Sequence, residues 1–185
     1  MGLEIEAKMK VAELSVVREK LKAVGARFVK RTNETNRFYD AADGRLRNAG
    51  RGLRLRTNTD ADLGSADHVV TMKGPLQGGK FKSREELEFS IDDVETAAAV
   101  LGHLGYPLNL SFEKRRESWE LDGCKIELDE LPVLGTFIEI EGKDEQSVEL
   151  VRQKLGLGGE PTISTGYASM IAKHLEATGG RELRF

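Results

Sequence analysis

Charged side chains recur along this sequence at a spacing of two, inside segments whose intervening positions are apolar. The first such segment is Leu3-Glu4-Ile5-Glu6-Ala7-Lys8. Strict alternation marks a β-strand, because successive side chains leave opposite faces. Glu4, Glu6 and Lys8 therefore share one face, and Leu3, Ile5 and Ala7 the other. The pattern returns with Arg54 and Arg56 against Leu53 and Leu55, and with Lys73 in line with Thr71. Arg84, Glu86 and Glu88 oppose Leu87, Phe89 and Ile91, while Lys114 and Arg116 oppose Trp119 and Leu121. Glu127 and Asp129 alternate with Cys124, Ile126 and Leu128, and Glu139 and Glu141 with Ile138 and Ile140.

Two architectures accommodate such rows. One is an open sheet with helices on its apolar face and its charged face in water. The other is an eight-stranded sheet closed into a barrel, which removes its edges and turns the charged rows onto one lumen. The rows are nearly pure Glu, Asp, Arg and Lys, and their signs cluster by strand, which favours closure. So many charges lose their water cheaply only when paired or liganded. Guanidinium and ammonium groups fit phosphate oxygens. Carboxylate clusters fit hard divalent cations, and Mg²⁺ usually takes one or two carboxylates together with substrate phosphates. Acids and bases together imply a metal–polyphosphate ligand.

The elements that must position these rows follow from periodicity. Residues 2–10 read as a strand. Leu14, Val17, Leu21 and Val24 recur at helical spacing and predict a helix over 13–24, stopped by Gly25. Strands are expected at 26–40, 52–57, 68–74 and 81–91, with a turn at Asp43-Gly44 and a polar loop over 58–67. A helix over 94–104, closed by Gly105 and Pro107, precedes strands at 111–121, 124–130 and 136–142. Asp122-Gly123 is a hairpin signal, since a tight primed turn needs positive φ. Helices follow over 145–155 and 164–178, parted by a glycine-rich break at 156–159. The expected fold is α+β, a closed eight-stranded antiparallel barrel with helices packed outside. Residues 1–178 form one domain, and 179–185 are expected to be a loose tail.

At 185 residues, one well-buried core is expected. The 28 basic residues nearly balance 31 acidic ones, for a net charge of −3, so the composition points to neither nucleic acid nor an anionic membrane. A single cysteine, Cys124, allows no intrachain disulfide. No signal peptide and no apolar run of about 20 residues is evident, which makes a cytoplasmic location the expectation.

Glu4-Ile5-Glu6-Ala7-Lys8 resembles the ExExK signature of the CYTH family, the triphosphate tunnel metalloenzymes. The resemblance continues through Arg37-Phe38-Tyr39-Asp40, Leu53-Arg54-Leu55-Arg56, Thr71-Met72-Lys73-Gly74-Pro75 and Arg84-Glu85-Glu86-Leu87-Glu88. It runs on through Glu113-Lys114-Arg115-Arg116-Glu117, Glu127-Leu128-Asp129 and Leu134-Gly135-Thr136-Phe137-Ile138-Glu139-Ile140-Glu141. It implies a triphosphate-binding set of Lys8, Arg54, Arg56, Lys73, Arg84, Lys114 and Arg116. It also implies a Mg²⁺ or Mn²⁺ set centred on Glu4, Glu6, Glu139 and Glu141, with Glu127 and Asp129 as further ligands and Glu86 and Glu88 as additional tunnel acids. Within these sets Glu4, Glu6, Lys8, Lys73 and Arg84 are the expected catalytic residues, and the resemblance implies that Tyr167, on the last helix, corresponds to a family segment that closes one tunnel mouth.

The likeness is greatest to the class IV adenylyl cyclase group, through Lys73-Gly74-Pro75 and Leu134-Gly135-Thr136-Phe137. It implies either conversion of ATP to cyclic AMP and pyrophosphate or triphosphate hydrolysis. The alternatives are an inorganic or thiamine triphosphatase, or a non-catalytic polyphosphate- or nucleotide-binding module. The expected partner is thus ATP, inorganic triphosphate or thiamine triphosphate, with no nucleic acid or membrane, and a homodimer is left open. Trp119 falls on the apolar face, which disfavours thiamine. Gly74–Lys80 has the spacing of a phosphate-binding loop, but Phe81 replaces the Ser or Thr that would hold Mg²⁺ and two strands flank it, so it reads as a hairpin loop. His68, His103 and His174 show no metal spacing. Cys124 reads as a buried thiol, and Glu113, Arg115 and Glu117 as external ion-pairing residues.

Overall fold

The computed structural model describes residues 2–180 and 182–185, with side chains described from Ile5 onward. The strands are β1 (Gly2–Val11), β2 (Arg27–Tyr39), β3 (Gly52–Asp60), β4 (Ala66–Lys73), β5 (Lys82–Ile91), β6 (Leu108–Leu121), β7 (Cys124–Leu131), β8 (Gly135–Gly142) and a short β9 (Glu182–Leu183). The helices are α1 (Leu14–Ala23), α2 (Arg45–Asn48), α3 (Val94–His103), α4 (Glu145–Lys154) and α5 (Tyr167–Thr178). Strand order is β2-β3-β4-β5-β1-β8-β7-β6, and pairing of β6 with β2 closes the ring. Each of these eight neighbouring pairs is antiparallel. The expected closed barrel is what the chain forms.

Local chemistry sets the corners. Asp122 and Gly123 both adopt positive φ, 51° and 76°, at the β6–β7 hairpin, as a primed turn requires. Asp93 caps α3 by accepting from the Glu95 and Thr96 amides, and Asp144 caps α4 by accepting from the Ser147 amide. The polar stretch expected as a ten-residue loop is half strand: Asn58 pairs with Asp67 and Thr59 with Ala66, leaving a turn over 61–65. Asp60 Oδ1 folds the remaining turn by accepting from the Asp62 and Leu63 amides. The last helix starts at Tyr167 rather than Ser164, because the residues before it run extended along β1, where the Ile163 amide donates to the Lys8 carbonyl at 2.8 Å. The tail is tied down: β9 pairs in parallel with β6, and Arg115 stacks on Phe185 at 3.9 Å.

Two apolar clusters sit on opposite sides of the barrel wall. Outside, α1 and α4 lay Val17, Leu21, Val148 and Val151 over Ala7, Met9, Ile126, Leu128, Ile138 and Ile140. Trp119 and Cys124 belong to this outer cluster, as their parity predicted. The second cluster lies at one end of the lumen. There the inward rows change from charged to apolar: Lys114 gives way to Phe112 and Leu110, Asp129 to Leu131, and Glu139 to Phe137. Tyr167, Ile171 and Leu175 of α5 pack on those residues and stopper that end. Among the described residues, no helix is long and apolar enough to cross a membrane.

Candidate active site

Register puts the charged rows on the inner wall, and burial confirms it. Lys8, Arg54, Lys73, Lys114, Arg116, Glu6, Glu127 and Asp129 are all buried although ionisable. Glu88 lies nearer the surface, with its side chain half exposed. The side chain of Glu4 lies outside the described residues, although its backbone pairs with that of Arg84.

The ring order separates charge into two walls. Arg54 and Arg56 on β3 and Lys73 on β4 face across the barrel to Glu139 and Glu141 on β8 and Glu127 and Asp129 on β7. Glu6 adjoins the acidic wall from β1. Within that wall like charges stand directly opposite each other, Glu6 with Glu141 and Glu127 with Glu139, an arrangement that is unfavourable without a counter-ion. Burial, reinforced by Glu6 and Glu127, pushes the Glu141 carboxyl above its ordinary value against the pull of Lys125. Burial would also raise Glu139, but Lys8, Arg116, Lys114 and Lys82 hold it well below the usual carboxylate range.

Each cation of the opposite wall has an acid beside it, Glu88 on Arg54, Glu34 on Arg56 and Glu86 on Lys73. Burial and the neighbouring Arg56 push Arg54 down to about 9, against Glu34, Glu86 and Glu88. Its Nη2 donates to Thr71 at 2.9 Å and to Glu88 at 3.2 Å, yet its Nε is buried with no hydrogen-bond partner. Burial and Arg116 likewise lower Lys114. A buried guanidinium with an unmet donor can take one more acceptor.

Arg116 behaves differently from the rest of the basic set. Its Nε and Nη2 donate to Asp129 Oδ1 and Oδ2, both at 2.6 Å, and Nη2 also meets Glu139 at 2.6 Å. Glu34 and Glu127 lie 3.5 and 3.6 Å away. Burial opposes its charge, but Asp129, Glu127 and Glu34 outweigh burial and hold Arg116 well above the usual guanidinium value. It ties the acids together.

Several lumen residues were not anticipated from the sequence. Glu34 on β2 is fully enclosed, 3.2 Å from Lys114 and 3.6 Å from Arg56. Burial raises it, but Arg56, Lys114, Arg116 and Arg54 hold it well below the usual range. Asn36 accepts from Arg56 at 3.2 Å, and Ser118 donates to Glu127 at 2.7 Å. Lys82 donates to Glu6 at 2.6 Å. Thr32-Asn33-Glu34-Thr35-Asn36 is polar on both faces, so alternation gave no inward row there. Lys82 was legible as the position two before Arg84.

Lys8 sits at the stoppered end. Its ammonium donates to the Thr165 carbonyl at 3.1 Å, lies 3.3 Å from Glu139, and rests 4.1 Å over the Tyr167 ring. Lys73 pairs with Glu86, which Arg84 also reaches at 2.9 Å. The Gly74–Lys80 loop joins β4 to β5 and carries no phosphate-loop helix. Phe81 is buried beneath it, and the Lys80 amide donates to Glu145 of α4 at 2.6 Å. Arg115 faces outward to Glu130, and Glu117 pairs with Arg18, both away from the lumen.

The acidic wall has the donor chemistry of a hard divalent cation: several carboxylates, some facing one another, with Glu141 and Asp129 pushed up chiefly by burial. Among the described residues no three such groups are drawn together around one point, and Glu6, Glu127, Asp129 and Glu139 are each held on a cation. The acidic wall fits a divalent ion, and the basic wall, with its unmet Arg54 donor, fits an anion.

Comparison with known proteins agrees. The sequence model of the CYTH domain matches residues 2–167. A Methanocaldococcus jannaschii protein named "Putative adenylate cyclase" is 30% identical over 139 residues, spanning 75% of this chain and 76% of that protein. A solved Pyrococcus horikoshii OT3 structure matches with a TM-score of 0.80 at 27% identity, covering 92% of this chain and 99% of the other. A Hippeastrum structure, described as a putative adenylyl cyclase that reveals a dominant triphosphatase activity, matches in fold with a TM-score of 0.68 at 21% identity, covering 97% and 96%. A charged, closed antiparallel lumen and a match over nearly the whole length lead to one conclusion: this chain belongs to the CYTH domain family.

Proposed function

We propose that this protein is a divalent-metal-dependent enzyme that binds a triphosphate in its lumen and hydrolyses the terminal phosphoanhydride bond. The observation that carries this reading is the one-ended lumen. Because α5 stoppers one end, a triphosphate entering from the other places its terminal phosphate deepest, beside Lys8 and Lys114. Arg54, Arg56, Lys73 and Arg84 then grip the remaining oxygens, and the unmet Arg54 Nε gains an acceptor. Phosphoryl transfer asks a protein chiefly for positioning and charge neutralisation, which two opposed charged walls supply. Glu6, Glu139 and Glu141 would hold Mg²⁺ or Mn²⁺ with help from Glu127 and Asp129, and a bound ion supplies neutralisation of the charge developing on the phosphoryl oxygens.

A second reading, cyclisation of ATP, is favoured by the name of the Methanocaldococcus jannaschii relative. It needs the ribose 3′-hydroxyl in line with the α-phosphorus. Incubation with inorganic triphosphate, ATP and thiamine triphosphate, in Mg²⁺ and in Mn²⁺, separates the readings. Orthophosphate release is the expected product; cyclic AMP with pyrophosphate establishes the cyclase, and inertness toward all three excludes both.

A further inference from the structure

Lys82 lies outside the basic set named above, yet it is placed against the acidic wall as closely as any residue. It pairs directly across from Glu6 between β5 and β1, its side chain is only 6% exposed, and its ammonium is 2.6 Å from Glu6 Oε1. Glu6 is also 3.6 Å from Lys8. The two lysines are held differently. Lys8 is fixed by a backbone carbonyl, by Glu139 and by the Tyr167 ring. Lys82 borders a recess of about 130 Å³, shared with Gln77, Lys80 and Ser164, where β1 and β5 part after the Glu6–Lys82 pair. Lys8 and Lys80 also line that recess, so an ammonium moved off Glu6 into it stands among cations.

We infer that Lys82 is a positioning residue that occupies the cation place on Glu6 until a metal–triphosphate arrives. A divalent ion entering alone must displace this ammonium and leave it without a counter-ion. A triphosphate arriving with the ion offers oxygens to the displaced lysine. The two ligands therefore favour each other's binding, a coupling of the usual five- to 150-fold size. Lys82 thus keeps the acidic wall from taking up metal unproductively. This inference rests on the function proposed above.

The test measures Mn²⁺ binding to the free protein by calorimetry and by electron paramagnetic resonance, with no phosphate present. Lys82→Met, and separately the shorter polar Lys82→Gln, are expected to bind Mn²⁺ about tenfold more tightly than wild type. Lys82→Arg restores the wild-type value, which a merely structural role would not produce. Unchanged or weaker Mn²⁺ binding in the Met and Gln variants overturns the inference. Binding of the Mn²⁺ complex of imidotriphosphate, a non-hydrolysable analogue, is measured on the wild type in parallel. If that complex binds while Lys82→Met keeps wild-type Mn²⁺ affinity, the inference alone falls. If the wild type binds neither Mn²⁺ nor the complex, the proposed function falls and takes the inference with it.

Discussion

Arg116 and Asp129 face each other across the β6–β7 pair with both guanidinium–carboxylate contacts at 2.6 Å, at a point enclosed by the barrel. The pair gives Arg116 a structural task, tying acids of β7 and β8 to β6. Its Nη2 also reaches Glu139, and Glu34 and Glu127 stand within 3.6 Å. Removing one partner of a buried ion pair leaves the other charged and desolvated, at a cost of about 3–5 kcal/mol. Arg116→Leu is therefore expected to lower unfolding stability by about that amount, seen as a lower urea midpoint with unchanged slope.

Arg54 makes the opposite prediction. Burial and the neighbouring Arg56 push it down to about 9, and it keeps an unmet Nε donor. Arg54→Ala is expected to weaken binding of imidotriphosphate about 10- to 100-fold while leaving stability near wild type. A charge-assisted contact worth about 1.5–3 kcal/mol accounts for that range. Arg115→Ala, on the outer face, should leave binding unchanged although it loosens the stacked Phe185. Calorimetric titration of both variants checks this, and equal losses would refute the inward and outward assignment.

The alternation of side chains made the barrel legible, along with most of its inner wall. Glu127 and Asp129, or Glu139 and Glu141, are read correctly because Ile126, Leu128, Ile138 and Ile140 between them are unmistakably apolar. Glu34 escaped because Asn33 and Thr35 beside it are polar, so neither face of β2 announces the core. The two-wall arrangement was not legible either, since it depends on strand order: β3 and β8 are far apart in sequence but stand opposite each other in the closed ring. Arg116 looked like its neighbour Lys114 in the sequence. Only cross-strand register shows that it faces Asp129. The stoppered end was visible in part, through the apolar stripe of Tyr167, Ile171 and Leu175, but its partners Phe112 and Leu131 read as ordinary strand residues.

Glu34 predicts a pH dependence. Its folded value is held well below 4.5 by Arg56, Lys114 and Arg116 in opposition to burial. A carboxyl depressed on folding contributes stability above its unfolded value, and that contribution is lost as pH falls through the folded value. Glu34→Gln is expected to cost about 3–5 kcal/mol at pH 7. The gap between variant and wild type should narrow below pH 4.5, as the wild-type carboxyl protonates. Urea unfolding at pH 7 and at stepped values below 4.5 measures it. A gap independent of pH would show that packing, not charge, holds Glu34 in place.

The stopper predicts a difference between two positions on one helix. Ile171 is fully buried against the apolar end of the barrel, whereas Lys173 two residues on is exposed. Ile171→Ala is expected to cost about 2–5 kcal/mol through lost burial and the cavity left behind. Lys173→Ala should stay within about 0.5 kcal/mol of wild type. Thermal melting distinguishes them, and equal small effects would show that α5 does not close the lumen.

Glu6 tests the chemistry itself. It stands between Lys82 and Lys8, opposite Glu141, where the acidic wall has the donors a divalent ion requires. Gln keeps the size of Glu, its amide oxygen still accepts from Lys82, and Lys8 keeps Glu139, so the fold is retained at some cost in stability. What Gln lacks is the charge. Loss of about 3 kcal/mol of transition-state stabilisation corresponds to roughly a hundredfold in rate. Glu6→Gln is therefore expected to lower metal-dependent turnover of triphosphate by at least about that factor, with a circular dichroism spectrum that shows the fold retained. Turnover is measured at saturating and at limiting Mn²⁺. A defect that saturating Mn²⁺ repairs marks Glu6 as an affinity ligand alone, and a persisting one marks a role in the chemical step. Full activity at limiting Mn²⁺ would remove Glu6 from the metal site.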